Sequence, residues 1–170
     1  MAKIMAVNAG SSSLKFQLIA MPEETVITTG IVERIGMKDS VFTIKVNGEK
    51  IQQMYDIDNH AVATKLVLDK LIELGVIKSF DEIEGVGHRV VHGADVLTES
   101  VLITDKEIAI LEELVDLAPL HLIPNLTGIK AFKEILPTVK QVAVFDTAFH
   151  AHMPEEAYMY AVPYDWYERH

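Results

Sequence analysis

Cysteine is missing from all 170 residues, which excludes disulfides and thiolate metal sites and fits a reducing compartment. Long apolar runs are missing as well: nothing approaches the ~20 residues that a membrane-spanning helix needs. The amino terminus passes directly into a strand pattern, with one lysine and no apolar core followed by a cleavage site. Positive charge is scarce, with 15 Lys and Arg against 25 Asp and Glu and a formal net charge of −10. That balance argues against duplex nucleic acid, whose readers need a basic face, but leaves room for small anions held by a few local cations. No internal repeat, low-complexity segment or flexible linker interrupts the chain. The expectation is a cytoplasmic protein with no membrane and no nucleic-acid partner. What is present is apolar, 49% of the residues, enough to bury one core and make one domain.

The chain is organised around Asn8-Ala9-Gly10-Ser11-Ser12-Ser13-Leu14-Lys15-Phe16. The apolar run Ile4–Val7 before it and Phe16–Ile19 after it read as two strands, so the loop is a hairpin tip. Its hydroxyls, its amide and its ammonium suit a phosphate, and Gly10 is read as tolerating strained dihedrals. The spacing is not that of a P-loop and no helix follows to lend a dipole, so a polar hairpin turn is the alternative.

Val26–Ile35 predicts a third strand, and Val41–Val46 with Lys50–Ile57 a hairpin around Asn47-Gly48. From Asn59 the period changes, and Val62, Leu66, Leu68, Leu71 and Ile72 predict one side of a helix that stops at Gly75. Asp58 or Asn59 would cap it. Ile83–Val91 predicts a strand, and Thr104 with Glu107 a capping box opening a helix through about Leu117. Pro119 and Pro124 are read as bracketing a connector, followed by a helix marked by Leu126, Ile129, Phe132 and Ile135 and stopped by Pro137. Gln141–Phe145 is a buried strand running into Asp146. A β-meander followed by alternating helix and strand is an α/β order with a mixed sheet.

Three strand ends hold groups able to do chemistry: Asn8 with Lys15, Arg89 with His88 and His92, and Asp146 with His150. In open α/β sheets ligands settle beyond the carboxyl ends of strands, so these three stretches are expected to converge. Arg89 either grips a carboxylate or phosphate with its planar fork or closes a structural ion pair. Asp146 either serves the site or caps a turn after its strand. The histidines, His121 and His152 among them, lack zinc-ligand spacing and are read as hydrogen-bonded structural groups. Val91 and Leu120 read as core residues, or as the wall of a small pocket that measures a short alkyl group.

In combination the motifs are specific. Residues 8–16, His-Arg-Val-Val-His-Gly at 88–93, Ala-Pro-Leu-His at 118–121 and Val-Phe-Asp-Thr-Ala-Phe-His at 144–150 follow one another in a way that resembles the acetate kinases, members of the acetate and sugar kinase/actin-like superfamily. Pro154–Tyr158 and Val162–Tyr164 extend the likeness, and propionate kinases look nearly the same. The resemblance implies a ribonuclease H-like, actin-like ATPase domain, an α/β fold with a mixed sheet flanked by helices. Residues 1–170 would be the first domain of each subunit of a homodimer, with a second, nucleotide-binding domain outside this sequence. The implied reaction is reversible phosphoryl transfer from ATP to acetate, giving acetyl phosphate and ADP, with Mg²⁺ as the metal and Mn²⁺ able to stand in. Propionate as acceptor, or a non-catalytic actin-like ligand-binding module, are the competing readings.

Residue by residue, the likeness makes Asp146 the catalytic aspartate and Arg89 the acetate-contacting arginine. Val91 and Leu120 would line the pocket for the acetate methyl. Lys15, with Ser11 and Ser12, would contact the nucleotide phosphates, and Asn8 would lie near the metal. The chain departs from the family at Leu122-Ile123, where Asn-Pro is usual, and at Ala94, where a second glycine is usual. With only one wall of the cleft, the chain by itself is expected to have negligible kinase activity.

Overall fold

The computed structural model describes residues 1–169. Five strands come first: β1 (Ala2–Ala9), β2 (Ser13–Met21), β3 (Thr25–Glu33), β4 (Ser40–Val46) and β5 (Glu49–Tyr55). Each pairs antiparallel with the next, as the meander reading requires. The β4–β5 turn is Asn47-Gly48, with φ of 51° and 85°. Positive φ at both positions gives the turn whose twist matches the flanking strands.

The period then changes to α1 (His60–Glu73), followed by β6 (Ile83–Val90), β7 (Val101–Leu102), α2 (Asp105–Glu113), α3 (Pro119–Ile135) and β8 (Lys140–Phe145). Two short helices follow, α4 (Glu155–Tyr158) and α5 (Tyr164–Arg169). All eight strands form one sheet in the order β5-β4-β3-β2-β1-β6-β8-β7. The β1–β6 and β6–β8 pairs are parallel, and the two-residue β7, absent from the sequence reading, runs antiparallel to β8 at the edge.

Alternation along the strands decides which face is covered. Met5, Val7, Leu14, Phe16, Leu18 and Phe42 are buried beneath helix residues Val67, Leu68, Leu71 and Phe132. A second cluster under α2 and α3 joins Val90 and Phe145 to Leu111, Leu122, Leu126 and Ile129. Helix α3 belongs to both clusters. The opposite parity, including Asn8, Lys15, Gln17 and Arg89, is not buried.

Three details differ from the sequence reading. Helix α1 buries Ala63, Thr64 and Val67 and exposes Val62 and Ile72. A count of large apolar residues passes over alanine, and over a threonine whose hydroxyl returns to the His60 carbonyl at 2.8 Å. Helix α2 ends at Glu113 and a separate single turn spans Val115–Leu117. The expected connector between Pro119 and Pro124 is helix: Pro119 opens α3 and Pro124 lies inside it. Proline suits the first helical position, whereas Pro124 lies past the first turn and forfeits the bond to the Leu120 carbonyl, a cost offset by the buried stripe of α3 around it.

Candidate functional site

Strands β1, β6 and β8 are neighbours and parallel, so their carboxyl ends emerge side by side. Asn8 is next to last in β1, Arg89 next to last in β6, and Asp146 follows β8 directly. The expected convergence of these three is present. Arg89 Nε donates to Asp146 Oδ1 at 3.0 Å, Nη2 donates to Asp146 Oδ2, and Nη1 donates to Asn8 Oδ1 at 3.4 Å. Arg89 therefore closes an ion pair with Asp146 across the ends of β6 and β8. The side chains of Arg89 and Asp146 remain 46% and 44% exposed, so water screens the pair and it adds little to stability. Its effect is directional. Three of the five guanidinium N–H donors are taken, which leaves two for an incoming oxyanion.

Lys15 stands directly opposite Asn8 across the β1–β2 pair and shares its face. Beside them the uncovered face of the sheet holds a cavity of about 680 Å³, within the usual range for small-molecule sites. Asn8, Lys15, Gln17, Lys45, Arg89 and Val144 contribute to its lining. Three cationic side chains thus gather on one face of a chain that carries ten net negative charges, a local field suited to an anion.

The hairpin tip is braced from within. Gly10 N–H donates to the Ser13 carbonyl at 2.8 Å, and Ile35 N–H to the Ser12 carbonyl at 3.0 Å. Gly10 is not in the left-handed region, contrary to the reading of a strained turn. What it supplies is room, since a Cβ there would lie 3.2 Å from Ser13 Oγ. Buried His60 approaches the Gly10 carbonyl through Nε2 at 2.6 Å. A carbonyl only accepts, so Nε2 bears the proton. Ser11 is exposed at the tip and Ser12 half-buried; neither lines the cavity.

Nor do Val91 and Leu120 line it. Val91 is half-buried against the second core cluster, and Leu120 is 76% exposed on the first turn of α3. The sequence reading missed Asn125, a buried polar residue of α3. Its Oδ1 accepts from Val91 N–H at 3.1 Å and its Nδ2 donates to the Ala9 carbonyl at 2.6 Å. The only available signal was a polar residue on the buried stripe of a helix, hidden once Pro119–Pro124 was taken as connector. Lys45 and Gln17 were also missed. Strand alternation assigns each a face, but only pairing across β2, β3 and β4 brings that face to Arg89.

His88 points to the opposite face from Arg89. Its Nε2 lies 2.7 Å from Gln141 Oε1, and burial pulls its pKa down to about 4, partly offset by that hydrogen bond. Among the described residues no group of three or more His, Asp or Glu gathers to hold a metal. The oxygen donors at the strand ends, one amide and one carboxylate, suit a hard divalent cation. A thiolate- or imidazole-rich centre does not fit them.

Residues 3–170 match the model of the Acetokinase family. The acetate kinase of Anoxybacillus flavithermus is 62% identical over 169 residues, which are 99% of this chain and 43% of that protein. Among solved structures, Porphyromonas gingivalis acetate kinase superposes with a TM-score of 0.93 at 43% identity, covering 99% of this chain and 43% of that one. A propionate kinase from Francisella tularensis gives 0.90 at 36% identity, covering 100% of this chain and 43% of that one. The chain therefore spans less than half the length of the relatives it matches. With three converging strand ends, a mixed sheet of the same architecture and a family match along nearly its whole length, the chain belongs to the acetokinase family.

Proposed function

We propose that this chain is the acid-binding and phosphate-binding portion of an acetate kinase, a cytoplasmic, homodimeric enzyme that moves the γ-phosphoryl group of ATP to a carboxylate oxygen of acetate and reverses the reaction from acetyl phosphate and ADP. The observation that carries the reading is the Asn8–Arg89–Asp146 constellation beside a cavity with three cationic side chains. Relatives on both sides of the comparison bear the name acetate kinase. A second, nucleotide-binding domain outside this sequence would close the cleft.

In-line phosphoryl transfer leaves little covalent work to the protein and depends on positioning and on cations that meet the spread charge. Acetate is already ionised at neutral pH, its carboxyl pKa lying near ~4, so its attack needs no general base. Arg89 offers its two spare N–H donors to the carboxylate and then to the transferring phosphoryl oxygens. Asp146 holds the guanidinium from one side and Asn8 from another, so the fork is oriented before substrate arrives. Lys15, with Ser11 and Ser12 at the hairpin tip, meets the nucleotide phosphates. Asn8 and Asp146 would hold Mg²⁺, which when bound supplies charge neutralisation across the phosphates. Val91 and Leu120 would bound the methyl group, Leu120 from an exposed position that a second domain could cover. The likeness to a propionate kinase supports a second reading in which the acceptor is one methylene longer.

The test is acetate-dependent ADP release by the full-length protein containing this chain, alongside Asp146→Asn. The variant places an amide N–H₂ against the guanidinium, and its kcat is expected to fall by about a hundredfold or more, with a much smaller change in KM for acetate. Unchanged turnover would remove Asp146 from the mechanism. A parent enzyme that turns over propionate faster than acetate would select the second reading.

A further inference from the structure

The β1–β6 ladder runs from Lys3↔Ile83 to Val7↔His88 and stops one residue short of Asn8 and Arg89. Past that point β1 and β6 are no longer paired to each other, and each is held only by its outer neighbour, Asn8 and Ala9 by β2 and Arg89 and Val90 by β8. Two side chains span the gap: Arg89 Nη1 reaches Asn8 Oδ1 at 3.4 Å on the open face, and Asn125 links the two backbones from the helix side. Asn125, 3% exposed, donates from Nδ2 to the Ala9 carbonyl and accepts at Oδ1 from Val91 N–H, at 2.6 and 3.1 Å. Ala9 follows Asn8, and Val91 lies two residues beyond Arg89. One turn further along α3, a Cβ on Gly128 would lie 3.2 Å from Ala9 Cβ, so helix and strand lie close there and the short carboxamide reaches.

We propose that Asn125 is a positioning residue: its carboxamide stands in for the missing rung of the ladder and sets the separation of Asn8 from Arg89. Burial makes the substitution hard to repair, since water has poor access to either orphaned backbone group. The amide is the one uncharged side chain of this size that donates at one atom and accepts at the other. The kinetic part of the test rests on the reading of the site as a carboxylate phosphotransferase.

Asn125→Asp in the full-length protein keeps an acceptor for Val91 N–H, but its second oxygen serves the Ala9 carbonyl only when protonated. Burial beside a carbonyl raises the pKa of such a carboxyl, so acidification restores the donor. Expressed relative to the parent at each pH, kcat/KM for acetate in this variant is expected to be about tenfold to a hundredfold low at pH 8 and to recover toward pH 5.5. Asn125→Leu is expected to be low throughout, without recovery. A folded Asn125→Asp with parental kcat and acetate KM at pH 8, or an equal deficit at every pH, overturns the proposal.

Amide exchange in the unmutated protein gives an arm independent of catalysis and of the variants' folding. Val91 N–H is expected to exchange as slowly as the ladder amides of β6, and exchange at the rate of an exposed loop overturns the bridge. If the parent shows no acetate-dependent turnover, the kinase reading fails by itself and the exchange arm still decides the bridge.

Discussion

Ala94 adopts φ of 50°, in the left-handed region, where a residue bearing Cβ is strained by about 1–2 kcal/mol. It follows Gly93, where the chain turns so tightly that an added Cβ would lie 2.1 Å from the Leu97 carbonyl oxygen. Ala94→Gly relieves the strain and gives back about 0.5–1 kcal/mol through the more flexible unfolded chain. The net expectation is a gain of about 0.5–1 kcal/mol, seen as a higher unfolding midpoint in urea; a lower midpoint would show that the turn is not strained. The sequence marked this position as one where glycine is usual, and the backbone supplies the reason. Other residues were legible in identity but not in partnership. Arg89 and Asp146 stood out as costly or reactive groups at strand ends, yet no pattern of spacing says that residues 57 apart share two hydrogen bonds.

Among the elements, the first five strands were readable because alternation and the Asn47-Gly48 turn act locally, whatever packs on them. The body of helix α3 was readable from Leu126, Ile129, Phe132 and Ile135, but its start at 119–124 was not, because the general penalty of proline hid the tolerance of a helix start for Pro119. Leu122, one of the departures from the family pattern, is fully buried in the second core cluster, so it continues the helix's apolar stripe and leaves no loosened connector. The packing of β6, β8 and α3 also contains a titratable group. His88 rests edge-on against the Phe132 ring, with centroids 5.4 Å apart, and hydrogen-bonds Gln141 of β8.

Burial holds the His88 pKa at about 4, against 6.5 for an ordinary histidine. The unfolded chain therefore takes up the proton first as pH falls. The stability that His88 contributes as a neutral group is complete above about pH 6.5 and drains away toward pH 4, to an extent of about 3 kcal/mol. Urea unfolding of the parent and of His88→Gln at pH 7.5 and 4.5 checks this. The parent is expected to lose more stability than the variant on acidification, and an equal loss in both would place the acid sensitivity elsewhere.

At the scale of the whole molecule, helices cover one face of the sheet, and the other presents Asn8, Lys15, Lys45 and Arg89 around one cavity. That asymmetry was only half legible. The order of strands and helices implied parallel neighbours whose ends meet, but not which face would stay open, since this depends on which parity of eight paired strands the helices bury. The proposed carboxylate phosphotransferase activity requires Arg89 to meet the acid at that open face. Phosphoryl transfer from ATP to acetate by the full-length protein, trapped as the hydroxamate over a range of acetate concentrations, measures this directly when parent and Arg89→Gln are compared. The account predicts transfer by the parent and a rise of about tenfold or more in KM for acetate in the variant, with KM for ATP nearly constant. Transfer by Arg89→Gln with parental KM for acetate, or no transfer to a short carboxylate by the parent, would contradict it.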